Sequence, residues 1–317
     1  HHRNINFHLS VRLGGAPAAG IRGSGADVGG GHSVLAVLCL QIDVVGAAVL
    51  LHPSIGHQGP EALLRTVRHL ADQFPEKQAV GISFASQINP VEGCISSATE
   101  TFPGFTGLQV KKLLERDLGV PVSIDNDVNC AAVGEGRLGA ATGCPDFLCL
   151  TYGTGIGGAI ILGGKLHYGQ TFAAGEVGHM TLRADGIRCN CGRLGCYEAY
   201  ASTTALIRRV YLEHKLTLDG RGICELCEQG SEGINETVNR WIGDVCAGLT
   251  SCIHMLNPPV VVLGGGIMEN TVIFNRVRAR LENELLPNFR KADIRQARLG
   301  NTAGMIGAAI QAQELCL

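Results

Sequence analysis

Apolar positions along this chain recur with two different periods. Unbroken runs at Val34–Leu40, Val44–Leu51, Ala79–Ser83, Val120–Ile124, Phe147–Thr151, Gly157–Leu162 and Val260–Leu263 have the length and β-branched content of buried strands. Between them Leu63, Leu64, Val67, Leu70 and Ala71 fall at i, i+1, i+4, i+7 and i+8, one face of a helix. Leu108, Leu113, Leu114 and Leu118 predict a second helix, closed by Gly119. A third runs from Glu198 to about Glu213, and a long one covers Asn235–Leu256 until Asn257-Pro258-Pro259 stops it. Gly163-Gly164 suits a tight hairpin. Strands alternating with helices, without repeats or low-complexity tracts, describe an α/β protein.

A break in composition at residues 139–146, GAATGCPD, predicts a domain boundary, giving domains at 25–140 and 141–301. Residues 1–24 are expected to be a leader or expression remnant without order of its own, since they lack the apolar stretch and cleavage site of a secretory signal. The length of 317 residues agrees with two domains at roughly one to two hundred residues each. A formal charge of -2 with no basic run gives no reason to expect nucleic acid or an anionic membrane as partner. No apolar stretch reaches the ~18–20 residues of a membrane span. Thirteen cysteines, an odd number in a long chain and several among apolar neighbours, read as reduced thiols and predict a cytoplasmic protein.

Chemistry concentrates in a few places. The turns at 27–31 (DVGGG), 153–158 (GTGIGG) and 264–266 (GGG) each adjoin an apolar run, where backbone N–H groups can approach phosphate oxygens. Any one of them could equally be a hairpin or a close helix–strand contact. Gly153-Thr154-Gly155-Ile156-Gly157-Gly158 leads from strand to strand, so it does not fit the strand-turn-helix dinucleotide fingerprint. Val120–Ile124 runs into Asp125-Asn126-Asp127, the end of a strand where α/β sheets bind ligands. Asp127 is the candidate general base for an acceptor hydroxyl, or alternatively a cap on a helix opening at Asn129.

His179, Cys189, Cys191 and Cys196 offer one imidazole and three thiolates, the donor set of a closed structural zinc site. Such a knot would hold Glu176, His179 and Glu198 at fixed separations, and two carboxylates with an imidazole suit a polyhydroxylated ligand; surface glutamates are the bland alternative. Cys224 and Cys227, in a helical run without a partner pair, read as core or surface cysteines.

Glu176-Val177-Gly178-His179, followed by Cys189-x-Cys191-Gly192-x-x-Gly195-Cys196-x-Glu198, resembles the ROK family of sugar kinases and related repressors. Residues 124–135 (IDNDVNCAAVGE) and 151–160 (TYGTGIGGAI) are similar to family segments, and the match extends from about Asp27 to the C-terminus. The resemblance implies a two-domain actin-like ATPase fold, ribonuclease-H-like, with an interdomain cleft for ATP-Mg and a hexose. A C-terminal helix over 302–317 would return to the first domain.

By motif position the resemblance makes Asp127 the base for a sugar 6-hydroxyl and Asn126, Glu176, His179 and Glu198 the sugar ligands. Asp27, Gly29, Gly30 and Gly31 become the first phosphate loop, Thr154, Gly155 and Gly157 the second, and Gly264, Gly265 and Gly266 neighbours of the adenosine. Mg2+ would be held by the phosphates and waters, with Asp27 the nearest carboxylate, and Zn2+ would be structural. The family's first loop reads Asp-x-Gly-Gly-Thr, often followed by Lys; here Gly31 and His32 stand in those places, and CLQIDVVGAAVL lacks the usual Asp-Gly hairpin. The expectation is an ATP-dependent kinase for the 6-hydroxyl of glucose or an N-acetylhexosamine, N-acetylmannosamine or N-acetylglucosamine, acting as a homodimer. A catalytically impaired sugar sensor is the alternative. The 26 residues before Asp27 show no winged helix-turn-helix pattern, which argues against a DNA-binding repressor.

Overall fold

The computed structural model describes residues 58–98 and 103–317, together with the backbone of 36–39. Of the two strands expected nearest the N-terminus, only β1 (Ala36–Cys39) falls within that range; the one at 44–51 lies outside the described residues. The chain forms two compact units, one containing residues 58–134 and 302–317, the other 135–301.

In the first unit, α1 (Pro60–Asp72) opens on a proline, whose missing N–H costs nothing at a helix start, and buries all five residues of the apolar stripe. β2 (Val80–Phe84) pairs antiparallel with β1 and parallel with β5 (Val122–Asn126). β5 begins later than the apolar run because Pro121 precedes it and has no N–H for the ladder. A short hairpin of β3 (Gln87–Asn89) and β4 (Cys94–Ser97) follows β2. Helix α2 (Val110–Leu118) ends on Gly119 at φ 68°, in the left-handed region. Leu108, expected in that helix, lies ahead of it because its carbonyl accepts from Ile95 N in β4.

The two faces of β2 have different neighbours. Val80, Ile82 and Phe84 join α1, α2 and β5 in one core, while Gly81 and Ser83 face the C-terminal helix α9 (Ala303–Glu314). No Cβ fits at Gly81 against Ala308 of α9, and none fits at Gly307 against the Cys130 backbone of α3 (Asp127–Leu138). Helix α9 is therefore seated by backbone approach on both the sheet and α3, with small residues where most helices carry large ones.

The second unit is built on a mixed sheet in the order β10-β9-β6-β7-β8. β6 (Phe147–Tyr152), β7 (Ile156–Leu162) and β8 (Lys165–Leu166) form an antiparallel meander, and Gly163 and Gly164, at φ 58° and 75°, make the two-residue turn between the last two. β9 (Val260–Gly264) and β10 (Asp293–Gln296) add parallel strands on the other side of β6. Five helices complete the unit: α4 (Glu198–Ala201), α5 (Thr203–His214), α6 (Gly220–Glu228), α7 (Glu232–Leu256) and α8 (Thr271–Glu284).

The core of this unit joins Leu148, Leu150 and Tyr152 to Trp241, Val245 and Leu249 of α7 and Val277 of α8. Cys224 and Cys227 are buried in it on α6, as small hydrophobes. The continuous helix expected from Glu198 to Glu213 is in fact two. Ser202 is extended, which breaks the helix; its side chain caps α5 by accepting from Ala205 N, and its carbonyl accepts both Leu206 N, the first bond of α5, and the Trp241 indole N–H. Helix α7 stops at Asn257, which takes the left-handed conformation at φ 44° before the two prolines.

Candidate functional site

In the first unit the candidate residues sit where β5 becomes α3. The helix opens at Asp127, two residues earlier than the sequence pattern places it, and the capping role belongs to Asn126. Asn126 Oδ1 accepts from Val128 N at 2.9 Å and Asn129 N at 3.2 Å, while its Nδ2 donates to Ser86 O at 3.2 Å. Asn126 thus retains one amide N–H for a ligand. Asp127 Oδ1 accepts from Val128 N at 3.0 Å, a bond that duplicates the cap.

Beneath this turn lies Asp125, which the sequence shows only as the first residue of the Asp125-Asn126-Asp127 run. It is 1 % exposed, and its carboxylate accepts from Asn126 N, from Asn129 Nδ2 and, at 2.7 Å, from Gln311 Nε2 of α9. A buried carboxylate with this many donors is stabilised as an anion, and it ties the Asn126–Asp127 turn to the C-terminal helix. Burial and the neighbouring Asp125 push the Cys130 thiol well above its usual range, leaving it inert.

In the second unit, His179, Cys189, Cys191 and Cys196 bring one ligand atom each into a group in which all lie within 4.8 Å of one another. Cys191 Sγ is 3.6 Å from Cys196 Sγ, and Cys189 Sγ is 3.7 Å from His179 Nδ1. Ligands about 2.3 Å from a zinc ion at the corners of a tetrahedron are separated by about 3.8 Å, so the donors fit that ion in type and in spacing. The loop is folded by its own backbone: Gly192 N donates to Cys189 O, Cys189 N to Arg193 O, and Gly195 N to Ile187 O. Gly192 and Gly195 hold φ of 86° and 76°, as the doubling back requires.

Arg193 was not foreseen in this role. Its guanidinium donates to His179 O at 3.1 Å and to Thr181 Oγ1 at 3.0 Å, clamping the histidine segment to the cysteine loop. A surface arginine between two cysteines carries no sequence signal for such a contact. In the unmetallated thiols, burial raises Cys189 first of all, with its bond to Glu198 adding to this. For Cys191 burial is outweighed by the Arg193 backbone bond and the adjacent thiols, and its thiol is lowered.

The two imidazole nitrogens of His179 face different groups. Nδ1 lies toward Cys189 and 3.8 Å from Glu198 Oε1, and Nε2 lies 3.9 Å from Glu176 Oε2. Glu198 in turn reaches the second glycine turn, with Oε2 accepting from Ile156 N at 3.3 Å and crowding Gly155 so that a Cβ there would clash. Its other oxygen accepts from Cys189 Sγ at 3.0 Å.

The glycine turns also meet. β6 and β9 are parallel neighbours with Thr151 opposite Gly264, so the turn after Tyr152 and the turn at 264–266 emerge at the same sheet end. Gly265, at φ 91°, lies directly against the Tyr152 backbone, leaving no room for a side chain. Thr154 is exposed on that turn. Parallel strand ends with side-chain-free backbone are the usual place for an anionic ligand in such sheets. The first glycine turn, with Asp27, Gly29, Gly30 and Gly31, lies outside the described residues.

The model of the ROK family matches residues 24–314. The glucokinase of Streptomyces coelicolor is 31% identical, with 92% of this chain and 97% of that protein covered. The N-acetyl-D-glucosamine kinase of Salmonella newport is 32% identical, with 78% and 85% covered. Among solved structures, a ROK family glucokinase from Streptomyces griseus in complex with glucose and AMPPNP superposes with a TM-score of 0.72 at 28% identity, covering 84% of this chain and 91% of that one.

Proposed function

This chain belongs to the ROK family and is a sugar kinase with the actin-like ATPase fold, and from that premise we propose that it phosphorylates the 6-hydroxyl of glucose or an N-acetylhexosamine, N-acetylmannosamine or N-acetylglucosamine, using ATP. The observation that carries the reading is the cluster of Glu176, His179 and Glu198 around a four-donor knot, with Glu198 also touching the glycine turn at 153–158. A sugar ligand set and a phosphate loop then share one carboxylate and so adjoin, and transfer between a sugar and a nucleotide requires that proximity.

In this scheme Asp127 takes the proton of the 6-hydroxyl as its oxygen forms the bond to the γ-phosphorus, and the bond to the β-bridging oxygen breaks to release ADP. Asn126 donates its remaining amide N–H to a sugar hydroxyl, and Glu176 and Glu198 accept from others. The hydrogen bond from Cys189 to Glu198 needs a thiol proton; once Cys189 is a thiolate, Glu198 Oε1 becomes an acceptor for the sugar. His179, with Nδ1 turned to the cysteines, keeps Nε2 for the sugar, its tautomer set by the other nitrogen.

His179, Cys189, Cys191 and Cys196 would hold Zn2+, and four protein donors leave it no open position for the reaction, so its contribution is to order the loop. The turns at 27–31, 153–158 and 264–266 would carry the nucleotide. Magnesium bound with ATP, nearest Asp27, would offset phosphate charge. We further infer a homodimer acting in the cytoplasm; among the described residues no helix is long and apolar enough to cross a membrane.

A coupled ADP-release assay with ATP-Mg tests the reading across glucose, N-acetylglucosamine, N-acetylmannosamine, mannose, fructose and allose. Turnover on glucose or an N-acetylhexosamine is expected. Silence on every sugar, with sugar binding intact by calorimetry, would replace the kinase by a sugar sensor.

A further inference from the structure

A second polar concavity lies in the same unit as the knot, lined by groups that take no part in the site above. It has a volume of about 650 Å³, and Arg183, Arg209, Arg240, Arg280, Glu213 and Asp244 stand in its walls. Four guanidiniums face two carboxylates there, an excess of two positive charges. Glu284 pairs with Arg280 from outside the lining, and the excess stays positive with it counted.

The carboxylates hold these arginines without saturating them. Asp244, 9 % exposed, takes one terminal nitrogen of Arg183 and one of Arg209. Arg183 is further steadied by stacking on Tyr200, 4.6 Å from its ring centre. Arg240 uses one terminal nitrogen on Glu213 and Thr237. Arg280 uses Nε on Glu284 and one terminal nitrogen on Asn239 O. A guanidinium has five N–H donors, so each arginine keeps several that no described residue takes.

The fourth wall depends on an absence. Gly243 sits on α7 beside Asp244, and a Cβ there would meet the Arg280 guanidinium at 2.7–3.0 Å. Only glycine lets Arg280 lie flat on the helix next to the Arg183–Asp244–Arg209 bridge. A glycine inside a 25-residue helix is less favourable than alanine by propensity alone, so the position is taken by something other than helix stability.

We propose that this concavity binds a phosphate dianion, as inorganic phosphate or as the phosphate group of a small monoester, at a site separate from the kinase residues. Converging forks offer more donors than a carboxylate's lone pairs can use, whereas the three terminal oxygens of a phosphate can accept from several at once. The volume exceeds what phosphate alone fills and leaves space for the esterified body. The site stands on its own geometry and does not depend on the chain being a kinase.

Calorimetric titration of the zinc-loaded full chain without nucleotide, at fixed ionic strength in chloride, tests it with inorganic phosphate, glucose 6-phosphate and glucose as probes. Wild type should bind inorganic phosphate saturably at one per chain. Arg240→Ala removes a rim donor, and Gly243→Ala displaces Arg280 while favouring the helix; both leave Asp244 paired with Arg183 and Arg209. Each should weaken phosphate binding roughly ten-fold or more, the value of a charge-assisted hydrogen bond, and leave glucose affinity unchanged. Glucose 6-phosphate binding more tightly than inorganic phosphate, with the same loss in both variants, would identify the ester as the natural form. No saturable binding by wild type, or binding unchanged in both variants, would overturn the proposal.

Discussion

Replacing Asp127 by Asn separates the two roles the residue could have, because the structure assigns the capping work elsewhere. Asn126 Oδ1 already accepts from Val128 N and Asn129 N, and the amide oxygen of an asparagine at 127 can still accept from Val128 N. The negative charge that the substitution removes from the first turn of α3 is worth about 0.3–1 kcal/mol against the helix dipole. What it removes from the reaction is the proton acceptor, worth roughly 10²- to 10⁴-fold, or about 2.7–5.5 kcal/mol of barrier. Turnover in the coupled ADP-release assay should therefore fall at least a hundred-fold, while the urea-unfolding free energy falls by no more than about 1 kcal/mol and calorimetric sugar affinity is kept. Asn126→Ala should lose about 1 kcal/mol of stability with its cap bonds and also weaken sugar binding, since the same amide is proposed to hold a sugar hydroxyl. Turnover in Asp127→Asn within a few-fold of wild type would refute the base assignment. A loss of turnover matched by a large loss of stability would refute the claim that the helix start does not need this carboxylate.

Other consequences concern the knot and the packing. The purified chain should carry one zinc per protomer by elemental analysis, and Cys196→Ser or a strong chelator should lower the melting temperature and weaken sugar binding together, since the ligand set and the sugar carboxylates share His179 and its loop; a zinc-free preparation with unchanged stability and sugar affinity would contradict this. Ser202→Ala should cost about 1 kcal/mol in urea unfolding by uncapping α5. Gly307→Ala, a substitution that ordinarily favours a helix, should instead destabilise by roughly 1–3 kcal/mol, because its Cβ would press on the Cys130 backbone; a gain in stability would show that α9 is not seated as described.

Local pattern was sufficient for much of this molecule. The α1 stripe is buried at every position that the period marks, Gly163-Gly164 turns the hairpin, Gly119 closes α2 in the left-handed region, and Asn257 with two prolines ends α7. Each depends on a residue's own conformational range or on a period set by neighbours in sequence, and such signals are complete within a few residues. The clustering of one histidine and three cysteines was legible for the same reason, since donors within 18 residues of a glycine-rich loop have few ways to avoid one another.

Tertiary structure decided whatever depended on a distant partner. The break at Ser202 interrupts an otherwise helical pattern, and the extended Ser202 both caps α5 and accepts the Trp241 indole N–H of another helix. Asn126 rather than Asp127 caps α3, and Asp125 becomes the anchor of that turn, through Gln311 from the far end of the chain. Arg193 clamps the knot, Nδ1 rather than Nε2 of His179 faces the cysteines, and four arginines from three helices and a loop converge over Gly243. A sequence states which groups a segment can offer, but which of them is satisfied, and by what, depends on burial and on directional bonds that exist only once the remote elements are in place.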